Sequence, residues 1–302
     1  ASMPLPRRTR LGSLRVLTQW GCVQKNADLV PPVLKLLWIL LGTGEVHHDQ
    51  HIPLGVRARL RLYAAQCILK LATYDAYASL ILPRMGRLSY ALQDECFQVR
   101  MHLLHDLLLY LMRDELPSEF HAAMFLVAFD PEDEPRVQVA SYSRRLHVLP
   151  PVVRHERLER VIVRFLHLLA HHPDLNAESP QTLCSFSRYL EFFLACVACE
   201  TNIGVLARFT ASVRTYIDLS VSEPSVENSR SLYAMAELAQ FLIQRLADHH
   251  GWTIYPVEEE APCPKDILRS TGTIARSVLD GEVWELLQQQ PRRHRDKKTK
   301  VA

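Results

Sequence analysis

His47 and His51 stand four residues apart in the stretch HHDQH, the spacing at which one helix face offers two imidazoles to a metal. A zinc-protease helix places its general-base glutamate right after the first of them, and His48 occupies that position. The stretch also lies between Gly42, Gly44 and Pro53, where a loop is expected, and no third ligand stands nearby. Cys196 and Cys199 form a C-x-x-C, but on the apolar run YLEFFLACVACE and without a second pair, so they are read as core cysteines. His171-His172 and His249-His250 close predicted helices, where imidazole can bond the last free carbonyls. No carboxylate stands at ligand spacing from these histidines. A helical metalloenzyme built on them is an alternative that the spacing does not support.

Phosphate chemistry and nucleophilic catalysis lack their motifs. The sequence contains no G-x-S-x-G and no G-x-x-x-x-G-K-[ST], and GTGEVH fails the dinucleotide pattern at its third glycine. The expectation is a non-enzyme with no cofactor, no metal and no small-molecule substrate. Two basic groups remain. Arg57, Arg59 and Arg61 are read as the solvated start of a helix or as a patch for an acidic partner. Arg292, Arg293, Arg295, Lys297 and Lys298, in RRHRDKKTK, form a run of the nuclear-localisation or DNA-backbone type. Of 35 basic and 33 acidic residues, setting aside the six cations of this tail and its single acid leaves 29 against 32. The positive charge therefore belongs to the tail, and the body has no strong nucleic-acid signature.

The elements around these residues read as helices. Only 10 of 302 residues are glycine, and 48% are hydrophobic. That composition favours a helical chain with a sizeable core. The longest apolar run, Leu36 to Leu41, is far short of a membrane span. Seven cysteines, an odd number, point to reduced thiols in the cytosol or nucleus. Leu103, Leu104, Leu107, Leu108 and Leu111 recur at steps of three and four, with Asp94 placed as helix cap. The same grammar recurs in RLYAAQCILKLA from Arg61, RMHLLHDLLLYL from Arg100 and RVQVASYSRRLH from Arg136. YASLILPRMGRLSYALQ and LPSEFHAAMFLVAF lie between them as partner helices. Intervals near 40 built from helix pairs indicate an all-α, HEAT-type solenoid over residues 1–256. Further stripes at Leu158 to Leu169, Phe186 to Val197 and Leu232 to Leu246 continue it. Residues 257–302 are expected to be a proline- and charge-rich linker and a basic tail, largely disordered. An apolar first repeat left open would be an aggregation liability.

RLYAAQCILKLA, LQDECFQVR, LPSEFHAAMFLVAFDPEDE, FLHLLAHHPDL and ENSRSLYAMAELAQFLI occur in an order and spacing that resemble the C-terminal half of the precocious-dissociation-of-sisters family. The resemblance covers roughly residues 30–256, with DECFQVR and LLAHHPDL its most specific phrases. Members of that family are longer HEAT-repeat regulators of cohesin. The resemblance implies a nuclear scaffold that associates with the cohesin complex through its kleisin subunit, works with the wings-apart-like release factor, and supports the cohesin acetyltransferase. Chromatin would be met through cohesin, and DNA through the basic tail. Asp94, Arg100 and Arg136 match the repeat positions that hydrogen-bond across neighbouring repeats. A transport receptor or a phosphatase scaffold are HEAT-repeat alternatives.

Overall fold

A computed structural model of the protein describes residues 5–24, 28, 30–45 and 52–289. The histidine stretch at 47–51 and the basic run from Arg292 lie outside the described residues. Helices α1 (Leu5–Gln24), α2 (Pro31–Thr43) and α3 (Leu54–Ala72) open the fold. Prolines occupy the first turn of α2, where a missing N–H costs no helical bond. The helix stops at Gly44, whose φ of 67° is left-handed and whose N–H bonds the Leu40 carbonyl at 2.8 Å. A Cβ at that position would come within 2.8 Å of Arg57, so glycine also allows α2 and α3 to close on each other.

The apolar stretch before Asp94 does not form one helix. It is α4 (Asp75–Ile81) and α5 (Met85–Ser89), with 3₁₀ turns at Leu82–Arg84 and Tyr90–Gln93. Pro83 has no N–H for the helical ladder and its ring displaces the preceding turn, which accounts for the break. Then comes α6 (Phe97–Met112), with Leu103, Leu104, Leu107 and Leu111 buried as its periodicity requires. The expected partner helix after it is a 3₁₀ helix over Ser118–Phe129, and every residue from Phe120 to Ala128 is buried. At about 2.0 Å rise per residue, 3₁₀ geometry spans more length than an α-helix and is thinner. This segment therefore threads the middle of the molecule, touching α5, α6, α7 (Asp133–His147), α9 (Ile162–Ala170) and α10 (Pro180–Val197). Phe125 stands edge-on to Phe165 and Phe193 at centroid distances of 5.7 and 4.7 Å, contacts of about 0.5–1.5 kcal/mol each beyond area burial.

A short α8 (Pro151–Arg154) and a π turn at His155–Glu159 lead into α9. Ser179 caps α10, its hydroxyl accepting from the Thr182 N–H at 3.3 Å. Helix α11 (Ile203–Ser212) and strand β1 (Tyr216–Asp218) precede α12 (Arg230–His250), which ends on left-handed Gly251. The architecture is the all-α solenoid expected, and among the described residues no helix is long and apolar enough to cross a membrane.

The region after residue 256 differs from the expected linker. Strand β2 (Leu268–Ser270) pairs antiparallel with β1, Tyr216 opposite Ser270, and α13 (Gly281–Gln289) packs on α10. Ile267, Leu268, Val283 and Leu287 are buried. Glu237 of α12 accepts hydrogen bonds from the N–H groups of Val278 and Leu279 at 3.0 Å and from the Ser277 hydroxyl at 2.8 Å. The prolines and charges that suggested a linker hold an extended strap against the core instead.

Candidate binding surface and its ion-pair ladder

Asp94 and Asp130 each precede a helix in the same local geometry. The Asp94 carboxylate accepts from the Cys96 N–H at 2.8 Å, and the Asp130 carboxylate from the Glu132 N–H at 2.9 Å. These are Asx turns, in which a short carboxylate side chain mimics a backbone acceptor. Asp94 is therefore not the N-cap of α6. That position is Cys96, which makes no side-chain cap bond.

The remaining acceptor capacity of each carboxylate reaches back one repeat. Arg61 of α3 donates to both oxygens of Asp94 at 2.6 and 2.9 Å, and Arg100 of α6 to both oxygens of Asp130 at 2.7 and 3.2 Å. Each arginine after an Asp also turns back on it. Arg100 donates to the Asp94 carbonyl at 2.9 Å, and Arg136 donates to the Asp130 carbonyl and the Asp133 carboxylate. Bidentate guanidinium–carboxylate pairs fix both distance and orientation. The result is one continuous ladder from α3 through α6 to α7.

The basic cluster divides differently from its sequence reading. Arg61 is the first rung of the ladder, and Arg57 pairs with Glu45. Arg59 is exposed on the other side of α3. Residues 57 and 61, one helical turn apart, are thus engaged within the fold and do not form a free patch with Arg59.

Two hollows meet at this ladder. One, of about 400 Å³, is lined by Trp38, Arg61, Arg87 and Tyr90; the other, of about 560 Å³, by Arg100, Phe129, Asp130, His172, Phe186 and Tyr189. Asp94 and Glu95 line both, so together they make one groove along the repeats. Gln93 ties its floor. Its amide donates to the Leu126 carbonyl at 3.0 Å and lies against the Tyr189 hydroxyl, and its oxygen bonds His172 Nε2 at 2.7 Å. Burial pushes the Tyr189 hydroxyl up to about 12 and holds His172 below its usual range, so both stay neutral near pH 7. Arg188 covers Phe129 at 4.3 Å. The groove offers aromatic faces, neutral hydrogen-bonding groups and two exposed acids, Glu95 and Asp174. That combination suits an extended peptide more than a reacting small molecule.

The other chemistry-bearing residues are placed as follows. Cys196 is buried, its thiol pushed up to about 12 by that burial, and Cys199 lies just beyond α10. None of the seven cysteines is in a disulfide. His249 and His250 end α12, with His250 stacked on Trp252 at 4.5 Å. His171 does have a carboxylate partner, contrary to its spacing in the sequence. Asp218 of β1 accepts from it at 2.7 Å and from His167 at 3.3 Å. Among the described residues these three are the group whose atoms could share a metal ion. Burial alone would raise the Asp218 pKa, but hydrogen bonds from His167 and His171 outweigh it and hold the carboxyl well below the usual carboxylate range. Burial holds His167 below its usual range despite the bond to Asp218. No local motif announces the trio, because Asp218 lies 51 residues beyond His167.

An all-α repeat array with an internal ladder defines the class of helical-repeat solenoids. The family described as "Sister chromatid cohesion protein PDS5 protein" matches residues 3–269, and the chain belongs to that family. It is 28% identical over 246 residues to the sister chromatid cohesion protein pds5 of Schizosaccharomyces pombe, covering 80% of this chain and 20% of that protein. To the sister chromatid cohesion protein PDS5 homolog A of Danio rerio it is 27% identical over 253 residues, 78% of this chain and 19% of the relative. To the PDS5 protein of Saccharomyces cerevisiae it is 23% identical over 280 residues, 83% and 22% of the two chains. The chain thus spans about a fifth of the length of these curated relatives.

Proposed function

We propose that this chain is a non-enzymatic scaffold segment acting in sister chromatid cohesion, through the cohesin complex and its kleisin subunit. In this reading it serves both maintenance and release of cohesin on chromatin in the nucleus. The wings-apart-like release factor and the cohesin acetyltransferase are its further partners. Membership of the family over residues 3–269 is the observation that carries the reading. The groove beside the ladder is the surface that fits it, since an extended kleisin-type segment needs aromatic faces, neutral hydrogen-bonding groups and a rigid floor. Asp94, Arg100 and Arg136 then act indirectly, by keeping successive repeats in register under that groove. Arg292, Arg293, Arg295, Lys297 and Lys298 add a salt-dependent contact to DNA.

The test is capture from nuclear extract on the immobilised chain, read by mass spectrometry. The reading expects recovery of the kleisin and the other cohesin subunits, and their loss with Tyr189→Arg, a change that blocks the groove. A folded chain that recovers no cohesin subunit, or a Tyr189→Arg variant that recovers them undiminished, overturns the role assigned to this segment. Recovery of transport or phosphatase subunits in their place would favour another HEAT-repeat function.

A further inference from the structure

We propose that His167, His171 and Asp218 form a binding site for a divalent transition metal of the zinc class, which clips strand β1 to helix α9. His167 lies in the last turn of α9, His171 is the C-cap residue one turn further on, and Asp218 comes from the last position of β1. Their ligand atoms all lie within 4.8 Å of one another. Zinc bonds nitrogen and oxygen at about 2.0–2.2 Å, and tetrahedral geometry then sets neighbouring ligand atoms about 3.3 Å apart. His167 Nε2 stands 3.3 Å from Asp218 Oδ1, and His171 Nε2 2.7 Å from Oδ2.

Charge gives the site its reason. Asp218 is a carboxylate with 3% of its side chain exposed, facing imidazoles in place of a guanidinium or ammonium. The nearest arginine on α9, Arg164, is already held by both oxygens of Asp266 at 2.7 and 2.8 Å. A buried carboxylate flanked by two imidazoles is a hard-oxygen and borderline-nitrogen donor set of the kind a divalent ion of the zinc class takes. Supporting contacts orient the ligand. The Ser220 N–H bonds Asp218 Oδ1 at 2.8 Å, and the Asp218 N–H bonds the Ser229 hydroxyl at 3.0 Å. On the open side a cavity of about 240 Å³ reaches His167, His171 and Ser220, leaving room for water or the Ser220 hydroxyl as fourth ligand. Arg84 and Arg87 also line that cavity, Arg87 lying over the Trp38 ring at 5.7 Å. They favour a hydroxide or another anion at the open position.

The site is tested on the whole chain after dialysis against chelator, by calorimetric titration with Zn²⁺ and by absorption with Co²⁺. The cobalt spectrum separates nitrogen and oxygen ligation from capture by cysteine thiols, which adds intense thiolate charge-transfer bands. One equivalent is expected, with tetrahedral cobalt bands free of thiolate character. His171→Ala, at the partly exposed ligand, should weaken binding by more than about tenfold, the scale at which outer-shell partners already act. Asp218→Asn should do the same in nearly unchanged shape, and His249→Ala should change nothing. Slower amide exchange at 216–220 on adding Zn²⁺ would mark the clip. Absence of Zn²⁺ uptake, binding indifferent to His171→Ala, or a purely thiolate spectrum would leave only a hydrogen-bonded triad, and would overturn the site.

Discussion

At the scale of single residues, the ladder makes two aspartates of identical local geometry unequal in consequence. Losing Asp94 leaves Arg61 with Glu95, which it also reaches at 3.2 Å. Losing Asp130 leaves the buried Arg100 with carbonyl acceptors only. Breaking a buried pair by removing one partner costs about 3–5 kcal/mol, because the remaining charge is stranded. Asp130→Ala should therefore destabilise by about that amount and Asp94→Ala by less, about 2 kcal/mol; urea denaturation giving equal losses would contradict the asymmetry. Sequence reading reached Asp94, Arg100 and Arg136 through their recurrence. It assigned Asp94 a cap because an Asx turn and an N-cap use the same residue type in the same neighbourhood. Arg61 was misplaced because its partner lies 33 residues away. His121 carries a pH dependence of its own. Burial lowers its pKa from 6.5 to about 4, its ring held between the Ser118 carbonyl and the Tyr142 hydroxyl. Between those values the unfolded chain binds a proton that the folded chain refuses, so stability rises with pH across that window. The loss on acidification from 6.5 to 4 should be about 3 kcal/mol, at about 1.4 kcal/mol per pH unit. In His121→Gln, denaturation curves should lose that share of the slope, leaving the parts due to His167 and His172, which burial shifts in the same direction.

At the scale of elements, legibility follows periodicity. Helices α6, α10 and α12 show apolar residues on one side, and the stripes Phe186 to Val197 and Leu232 to Leu242 are buried as their spacing implies. Apart from His121, Phe120 to Ala128 is apolar all round, so its sequence has no period to separate a 3₁₀ from an α-helix. Strands β1 and β2 have three residues each, too few for an alternating pattern. The strap over α10 and α12 was hidden for another reason. Its order comes from partners supplied at long range: Glu237 to residues 277–279, and Arg164 to Asp266. Glu237→Ala should free 277–289 while leaving the helices intact. Amide exchange would then accelerate in α13 and the segment before it, with α6 unchanged; protection retained throughout 277–289 would show that the apolar seat of Val283 and Leu287 suffices alone.

At the scale of the whole molecule, a solenoid is stable only where each repeat meets a neighbour, and its outermost helix decides how the array behaves in solution. In α1, Val16, Trp20 and Val23 fall at i, i+4 and i+7, and with Leu17 they are exposed, Val16 and Val23 by 67% and 71%. Its opposite side buries Leu14, Thr18 and Cys22 toward the core. The helix is thus apolar on both sides, unlike a capping helix with a polar outer face. Two such faces from separate molecules can cover one another without disturbing the ladder or the groove, which are built from α2, α3, α5, α6, α7, α10 and the turns between them. The chain by itself should therefore self-associate in a concentration-dependent way. Val16→Glu with Val23→Glu should restore a monomer in sedimentation velocity, with the melting temperature nearly unchanged because both residues are solvent-facing. A double variant that still associates would move the contact to another surface; one that unfolds would show that this face of α1 packs against the array.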